Sequence, residues 1–459
     1  MLEGLEISEI SLGEAQSKDI FRLESDFYTA KSFRMTFSYS GEEIIELSQY
    51  GTSEELNEDG KGFPILRLNE FNSLFVGSPA KFCSKISQKT FDELRLKRGD
   101  VLICRTNGNP KLVGKAAIVP EDTYYAYASY LFKIRPKSTL INSATLAIFL
   151  NSKYGRLEIE KYSMASNQVN FSPAKFREIN IPKLGSINEK VDSLVFTSFD
   201  FLKKSDHLYA EAEALLLKSL GLENFSPSSK NTNIKSFKDS FSTTGRLDAE
   251  YYQPKYEDYQ NQVFSYQEGW SALEKVCDLK DKNYSPNDEK FYQYIELADI
   301  NKSGGITGCS KELGKDLPSR ARRKVNAGDV LISSIEGSLS SCAIVSKEFE
   351  NSLCSTGFYV IKSDKINSET LLVLFKSDLT QNILKQSCSG TILTAINKDE
   401  FLKIPLPLID PKTQSQISLL IQESFSLKSK SEKLLELAKK AVEMAIEESE
   451  EEAMKFINQ

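Results

Sequence analysis

The sequence predicts an α+β protein: two tandem homologous globular domains joined by two long helices that pair as an antiparallel coiled-coil stalk about a pseudo-twofold. Three observations lead there. The chain repeats itself with a period of about 225 residues. Each copy mixes short β-branched runs with helical segments. After each copy comes a heptad-patterned stretch without Pro or Gly.

The duplication rests on anchors kept in order. Arg22-Leu23-Glu24-Ser25-Asp26-Phe27-Tyr28 opens the first copy and Arg246-Leu247-Asp248-Ala249-Glu250-Tyr251-Tyr252 the second. Gly99-Asp100-Val101-Leu102-Ile103 matches Gly328-Asp329-Val330-Leu331-Ile332, and Ala117-Ile118-Val119 matches Ala343-Ile344-Val345. Ile141-Asn142-Ser143 returns as Ile366-Asn367-Ser368, and Phe176, Ile179 and Ile181-Pro182 as Phe401, Ile404 and Leu406-Pro407. Between anchors the copies diverge. Arg105-Thr106-Asn107-Gly108-Asn109 faces Ser333-Ser334-Ile335-Glu336-Gly337, and Ser163 to Gln168 faces Gln386 to Thr391. A kept framework with divergent loops is either drift or two modules with different targets.

Within each copy, Gly99–Ile103, Ala116–Val119, Tyr130–Ile134 and Phe358–Ile361 read as strands. Ser143–Asn151 and Ser368–Lys376 follow Ser caps with apolar residues at helical spacing. An Ile-Pro or Leu-Pro strand end closes each half. The expected boundaries are residues 1–185 for the first domain, 186–222 for the first long helix, 223–244 for a linker, 245–411 for the second domain and 412–459 for the second helix.

In the first long helix, Ile187, Leu194, Phe201, Leu208, Leu215 and Leu222 recur every seven residues, and Val191, Ser198, Ser205, Ala212 and Ser219 hold the companion position. In the second, Leu420, Leu427, Leu434 and Ala441 alternate with Ile417, Ser424, Ser431, Ala438 and Ala445. Such a seam is a coiled-coil signal. Small residues at the companion position predict close backbone approach, with Leu194, Phe201, Leu208, Leu215, Leu420, Leu427 and Leu434 filling the space between. The alternative is that each helix packs only on its own domain. The acidic run Glu447 to Glu452 reads as a solvated face or frayed tail.

Composition limits the chemistry. Apolar residues are 40% and charged residues 27% of 459, and no apolar run approaches the ~20 residues of a spanning helix. The opening residues show no signal-peptide pattern. Seven scattered cysteines without a Cys-x-x-Cys pair fit a reducing cytoplasm. The single histidine, His207, flanks a heptad position, which argues against His-based triads and His-ligated metal sites. Gly108 to Lys115 has one residue too many for a P-loop, and Ala116 stands where Ser or Thr would hold Mg²⁺. Asn109-Pro110-Lys111 is not an adenine-methyltransferase motif. No catalytic residue and no metal site is expected.

The net charge of −6 hides local patches. Lys81 to Lys115 carries nine Lys/Arg and three acids; Lys311 to Lys324 carries six and two. Gly41–Gly60 holds seven acids and no base. A basic segment at equivalent places in both copies suits phosphate contact; ordinary surface charge is the alternative.

These features resemble the specificity (S) subunit of type I restriction-modification systems. The resemblance spans nearly the whole chain and is carried by Gly99–Asn109 with Val113-Gly114-Lys115-Ala116-Ala117, by Arg246–Tyr252, and by the Pro-terminated strand before each helix. The second copy departs from it at 333–342. The resemblance implies that each domain is a target recognition domain reading one half of a bipartite double-stranded DNA site. It implies helices that fix the gap between half-sites and dock two methyltransferase (M) subunits, with restriction/translocase (R) subunits joining them. S-adenosylmethionine would then sit in the methyltransferase and ATP and Mg in the restriction subunit, none on this chain, and no membrane is involved.

Within that frame Arg105, Asn107 and Asn109 are the first candidates for base contact, since Arg suits guanine and Asn adenine. Asn167 and Gln168 come next, then Ser334, Ser338 and Thr391 in the second copy. Lys81, Lys85, Lys111, Lys115, Arg320, Arg322 and Arg323 are candidates for phosphate contact. Two rivals stay open: a DNA-reading subunit of a related defence or methylation system without a type I nuclease, and a two-lobed protein scaffold that binds no DNA.

Overall fold

A computed structural model describes residues 9–13, 37–163, 169–390 and 394–458. Arg22–Tyr28, Asn167, Gln168 and Thr391 lie outside the described residues. The chain divides into two compact units, Met1–Leu202 with Ser429–Gln459, and Lys203–Lys428.

The first unit is built on a six-stranded sheet in the order Ile45–Tyr50, Leu131–Pro136, Val101–Cys104, Ala116–Ile118, Phe75–Val76, Phe71–Asn72. Val101–Cys104 runs antiparallel to both neighbours and is buried on both faces, which explains its unbroken apolar sequence. Val101 and Ile103 face the helices Ser143–Asn151 and Lys153–Ser163. Leu102 and Cys104 face a three-stranded sheet of Lys81–Cys83, Phe63–Leu66 and Ala126–Tyr127.

The second unit repeats this plan. Its central sheet runs Asp278–Leu279, Phe358–Lys362, Val330–Ser333, Cys342–Ile344, and a second sheet runs Ser310–Leu313, Phe291–Ile295, Leu353–Ser355, Ala321–Lys324. Val330 and Ile332 join one core and Leu331 the other. The Pro-terminated strands Asn180–Pro182 and Pro405–Pro407 each pair with one partner, Ser38–Ser40 and Trp270–Ala272, where a missing N–H is tolerated.

The duplicated anchors have physical reasons. Gly99 and Gly328 adopt φ of +86° and +85°, a left-handed turn that favours glycine. The aspartates after them are fully buried. Asp100 accepts from the Lys97 N–H at 2.9 Å and meets Arg135 at 2.8 Å; Asp329 accepts from the Asn326 N–H at 2.9 Å and from Lys280 at 2.7 and 2.8 Å. A buried carboxylate persists because a cation and an amide answer it. Ser143 and Ser368 each donate to the carbonyl of the turn glycine, at 2.5 and 2.6 Å.

The long helices span Ile187–Ser219 and Pro411–Glu447; Ser449 then caps a separate helix, Glu450–Ile457. Both helices contribute to each unit. In the first, Val191 and Val195 share a core with Ala438, Ala441 and Val442. In the second, Ala212 and Leu216 share one with Ile417 and Ile421. Each helix also begins on its own domain: Asn142 bonds to the side chain and carbonyl of Asn188 at 3.0 and 3.4 Å, and Asn367 to those of Gln414 at 2.9 and 3.0 Å. Own-domain packing and contact between the helices therefore coexist.

Helix contact rests on the small residues. Val191, Ser198, Ser205 and Ala212 are at most 1% exposed. In the first unit Ser198 Oγ lies 2.8 Å from Ser431 Oγ and donates to the Ser431 carbonyl at 3.0 Å. In the second, Ser205 and Ser424 each donate to the other's carbonyl, at 2.8 and 2.9 Å. The large residues are more peripheral: Leu208 and Leu427 are buried, whereas Leu194, Phe201, Leu215, Leu420 and Leu434 are only partly so. The seam is hydroxyl-bonded, a feature heptad spacing does not carry. His207 is exposed. The acidic run is not wholly solvated, because Glu447 accepts from the Tyr154 hydroxyl at 2.6 Å and Glu450 from the Gly185 N–H at 2.7 Å.

Candidate nucleic-acid interface

The loop after Val101–Cys104 holds the first-choice residues. Arg105 is tied by its backbone, donating to the Tyr130 carbonyl and accepting from the Phe171 N–H, both at 2.8 Å. Its guanidinium stands 5.4 Å from the half-exposed Tyr50 ring, and its buried Nε has no hydrogen-bond partner among the described residues. Asn170, bridged to Thr106 across the same loop, has a buried Oδ1 with no hydrogen-bond partner among the described residues. Buried polar atoms without partners cost about 1–3 kcal/mol each, so they mark a place where a ligand's donors and acceptors would be stabilising. Tyr50 and Asn170 escaped the sequence reading because they sit about 55 and 65 residues from Arg105 in the chain and only the sheet brings them near.

Asn107 and Asn109 shape the loop. The Asn107 Oδ1 accepts from the Asn109 N–H at 2.8 Å and the Asn109 Oδ1 from the Lys111 N–H at 3.1 Å. These turns occupy part of each side-chain oxygen; Asn109 is exposed and Asn107 part-buried. Arg156 supports the loop from behind, donating to the carbonyls of Val113 at 2.8 Å and Lys111 at 3.2 Å. Gly114, at φ +78°, lies so close to Ile159 that a Cβ would fall 2.5 Å from its Cγ2.

In the second unit the equivalent loop is differently used. Ser334 donates its N–H to the Gly357 carbonyl and accepts from the Ile396 N–H, as Arg105 does with Tyr130 and Phe171. Structure therefore pairs Arg105 with Ser334. The Ser334 hydroxyl is buried and also donates to Gly357. Ser338 Oγ lies 3.0 Å from Ser333 Oγ. Both hydroxyls hold the loop together.

The basic segments differ too. Lys81 forms an ion pair with Glu58 and Lys85 with Glu55 at 2.7 Å, so the acidic run 41–60 folds against the basic one. Lys111 is exposed and Lys115 partly so. Arg320 is exposed; Arg322 donates to the Ser319 carbonyl and Arg323 to Asn283, both at 3.1 Å.

The Arg246 motif docks on the helix Asp378–Ser387. Arg246 donates to the carbonyls of Gln386 at 3.3 Å and Cys388 at 2.8 Å, a cation at a helix C-terminus. Asp248, 2.6 Å from Arg246, orients it, and the guanidinium holds the Asp248 carboxyl below its usual range. Burial pushes the thiols of Cys104 up to about 11 and of Cys277, Cys342 and Cys388 up to about 12, away from nucleophilic thiolate. Among the described residues no His/Cys/Asp/Glu group could hold a metal, and no helix is long and apolar enough to cross a membrane.

The fold is thus a twice-built α+β module with a polar loop at one end of each central sheet. The chain matches the type I restriction modification DNA specificity domain over residues 40–200 and again over 267–437, and it belongs to that family, carrying two specificity domains in tandem. No curated protein matches it in sequence. Among solved structures it is similar to the type I restriction-modification S subunit from M. genitalium (11% identity, 88% of this chain and 94% of that one, TM-score 0.45). It is similar to the HsdS subunit from Thermoanaerobacter tengcongensis (16%, 90% and 97%, TM-score 0.29). A chain from a structure on complex assembly and conformational transition of the type I R-M system also matches (15%, 90% and 99%, TM-score 0.30).

Proposed function

We propose that this chain is the non-catalytic sequence-specificity subunit of a cytoplasmic type I restriction-modification complex, each domain reading one half of a bipartite DNA target. The observation that carries this reading is the DNA specificity domain matched twice, on a framework that is kept while its polar loops differ. Arg105, with Asn107, Asn109, Asn167 and Gln168, would contact bases in one half-site; Lys111 and Lys115 would hold phosphates. Lys81 and Lys85 would do so only by leaving Glu58 and Glu55. In the second domain Arg320, Arg322 and Arg323 would contact phosphate, and Thr391 would be a base contact ahead of the two engaged serines, Ser334 and Ser338.

The two long helices form the stalk in this reading, antiparallel, setting the spacer and docking two methyltransferase subunits. Support comes from the serine contacts: as the first helix advances seven residues from Ser198 to Ser205, its partner retreats seven from Ser431 to Ser424. S-adenosylmethionine would be held by the methyltransferase subunits, and ATP and Mg by the restriction subunits. Methylome sequencing of the host with and without this gene tests the reading: N6-methyladenine should vanish from one two-part motif. Arg105→Ala should relax one base position by about 1–3 kcal/mol, and one inserted heptad should change the gap and leave the halves intact. A methylome indifferent to the gene would overturn the proposal.

A further inference from the structure

Ser334 and Ser338 are engaged in their own loop, so any further surface the second domain offers DNA beside Arg320, Arg322, Arg323 and Thr391 lies elsewhere. The two units differ sharply at one equivalent place. In the first, strand Phe63–Leu66 pairs antiparallel with Lys81–Cys83 and parallel with Ala126–Tyr127; in the second, Phe291–Ile295 pairs the same way with Ser310–Leu313 and Leu353–Ser355. In the first unit the chain preceding that strand folds back on the sheet, Asn57 bridging Phe82, and its acids neutralise the lysines: Glu58 with Lys81, Glu55 with Lys85, Asp59 with Lys61.

In the second unit the same end of the sheet is an open cleft of about 540 Å³. Lys290, Lys311 and Lys324 are exposed on its rim, and among the described residues no carboxylate lies within ion-pair distance of them. Each ammonium instead stands over an aromatic ring, Lys290 over Tyr292 at 5.6 Å, Lys311 over Phe291 at 5.8 Å and Lys324 over Tyr284 at 5.7 Å. Phe291 is 57% exposed, an apolar ring presented among cations. Behind it the Tyr284 and Tyr292 hydroxyls lie 3.2 Å apart, and Tyr284 is fixed by its N–H to the Arg322 carbonyl. Glu350, the one acid among the described residues of the wall, is held by Asn326 at 2.7 Å and the Ala327 N–H at 2.5 Å, which with the nearby Lys280 and Lys324 charges hold its carboxyl below the usual range. Lysines without an ion pair among the described residues, with Glu350 acting on Lys324 only at longer range, next to an exposed ring and joined in the strand by Arg322 and Arg323, suit a polyanion with apolar edges, such as a DNA strand.

We infer that the second domain engages duplex DNA through this cleft, Lys290, Lys311 and Lys324 contacting phosphates and Phe291 packing on a sugar or base edge, while the first domain works through the Arg105 loop. This rests on the DNA-reading proposal above. The two half-sites are then held by different devices on one framework.

The test uses the chain assembled with its methyltransferase subunits, a labelled duplex carrying the target, and titrations across salt. Lys311→Gln and Lys324→Gln should each lower the slope of log affinity against log salt by about 0.9, Lys311→Arg should keep it, and Lys61→Gln, at a lysine paired with Asp59, should leave it unchanged. In a binding-site selection, Phe291→Ala should loosen one half-site and Arg105→Ala the other. The cleft is overturned if the wild type is selective and salt-dependent while Lys290→Gln/Lys311→Gln/Lys324→Gln keeps the full slope, or if Lys61→Gln costs as much slope as Lys311→Gln. A wild-type complex without selective duplex affinity would instead end the DNA-reading proposal itself.

Discussion

The serine seam makes a quantitative prediction. Ser198 is fully buried, and its hydroxyl serves both the hydroxyl and the carbonyl of Ser431. Ser198→Ala removes these bonds and leaves the Ser431 hydroxyl without its partner across the seam, a loss of about 1 kcal/mol. Ser198→Ala/Ser431→Ala removes both polar groups together and should cost less than the sum of the single changes, a coupling of about 0.5–1 kcal/mol. Ser198→Leu is harsher. It places a four-carbon side chain where the facing Oγ is 2.8 Å away, and overpacking adds about 1–3 kcal/mol. Urea unfolding followed by circular dichroism, with amide exchange to separate the two units, reads all three variants. If Ser198→Leu stays within about 0.5 kcal/mol of wild type, the helices are not in contact at this level and close packing through small residues is wrong.

Two further outcomes follow from local geometry. Gly114→Ala should destabilise the first domain by at least about 1 kcal/mol, since it combines φ +78° with a Cβ 2.5 Å from Ile159 Cγ2; adding Ile159→Ala should recover the steric part in a thermal melt. Because Arg246 depresses the Asp248 carboxyl in the folded chain, their contact contributes fully above the ordinary carboxylate pKa and is lost as pH falls through the lower folded value; Asp248→Asn should flatten the fall of Tm on the acid side, and an unchanged acid limb would show that the pair does not matter.

Much of the framework was legible because its anchors answer local physical needs. Gly99 and Gly328 are kept for a left-handed turn, Asp100 and Asp329 to close it. Asn142 and Asn367 are kept because each binds the first turns of a long helix. The parts that stayed hidden depend on distant partners. Heptad spacing marked which helical positions face inward, but the hydroxyl bonds that bury Ser198 and Ser205 more deeply than Leu194 and Leu215 are visible only with both helices present. Charge runs marked basic segments, yet Lys81 and Lys85 are neutralised by residues 23 and 30 positions away. Ser334 has the polarity for a base contact, and its buried hydroxyl already donates to the Gly357 carbonyl, which no residue type announces. Side-chain type signals capability, and the tertiary environment decides whether the group is still available.

Sharing of the long helices between units has a consequence for folding. The first unit contains Ser429–Gln459 although more than 200 residues separate that segment from the rest. Ala438, Ala441, Val442 and Ala453 are completely buried in the core that also holds Val191, Val195 and Phe149. Undocking the segment would return the three side-chain carbons of Val442 and three alanine methyls to water and uncover Val191 and Val195, about 5 kcal/mol or more at roughly 0.8 kcal/mol per carbon. That is a large part of the 5–15 kcal/mol typical of a domain. A chain ending at Lys428 should therefore lose amide protection in Ser143–Asn151 while Val330–Ser333 stays protected, and a peptide of residues 429–459 added in trans should restore it. Equal loss in both units would mean a single cooperative fold, and no loss would mean that the last helical turns rest on the first domain without holding it together. With the expected asymmetry, the first domain cannot complete its core until the chain has been synthesised to its second long helix, whereas the second is built from one continuous stretch, so the duplicated halves are copies that are completed differently.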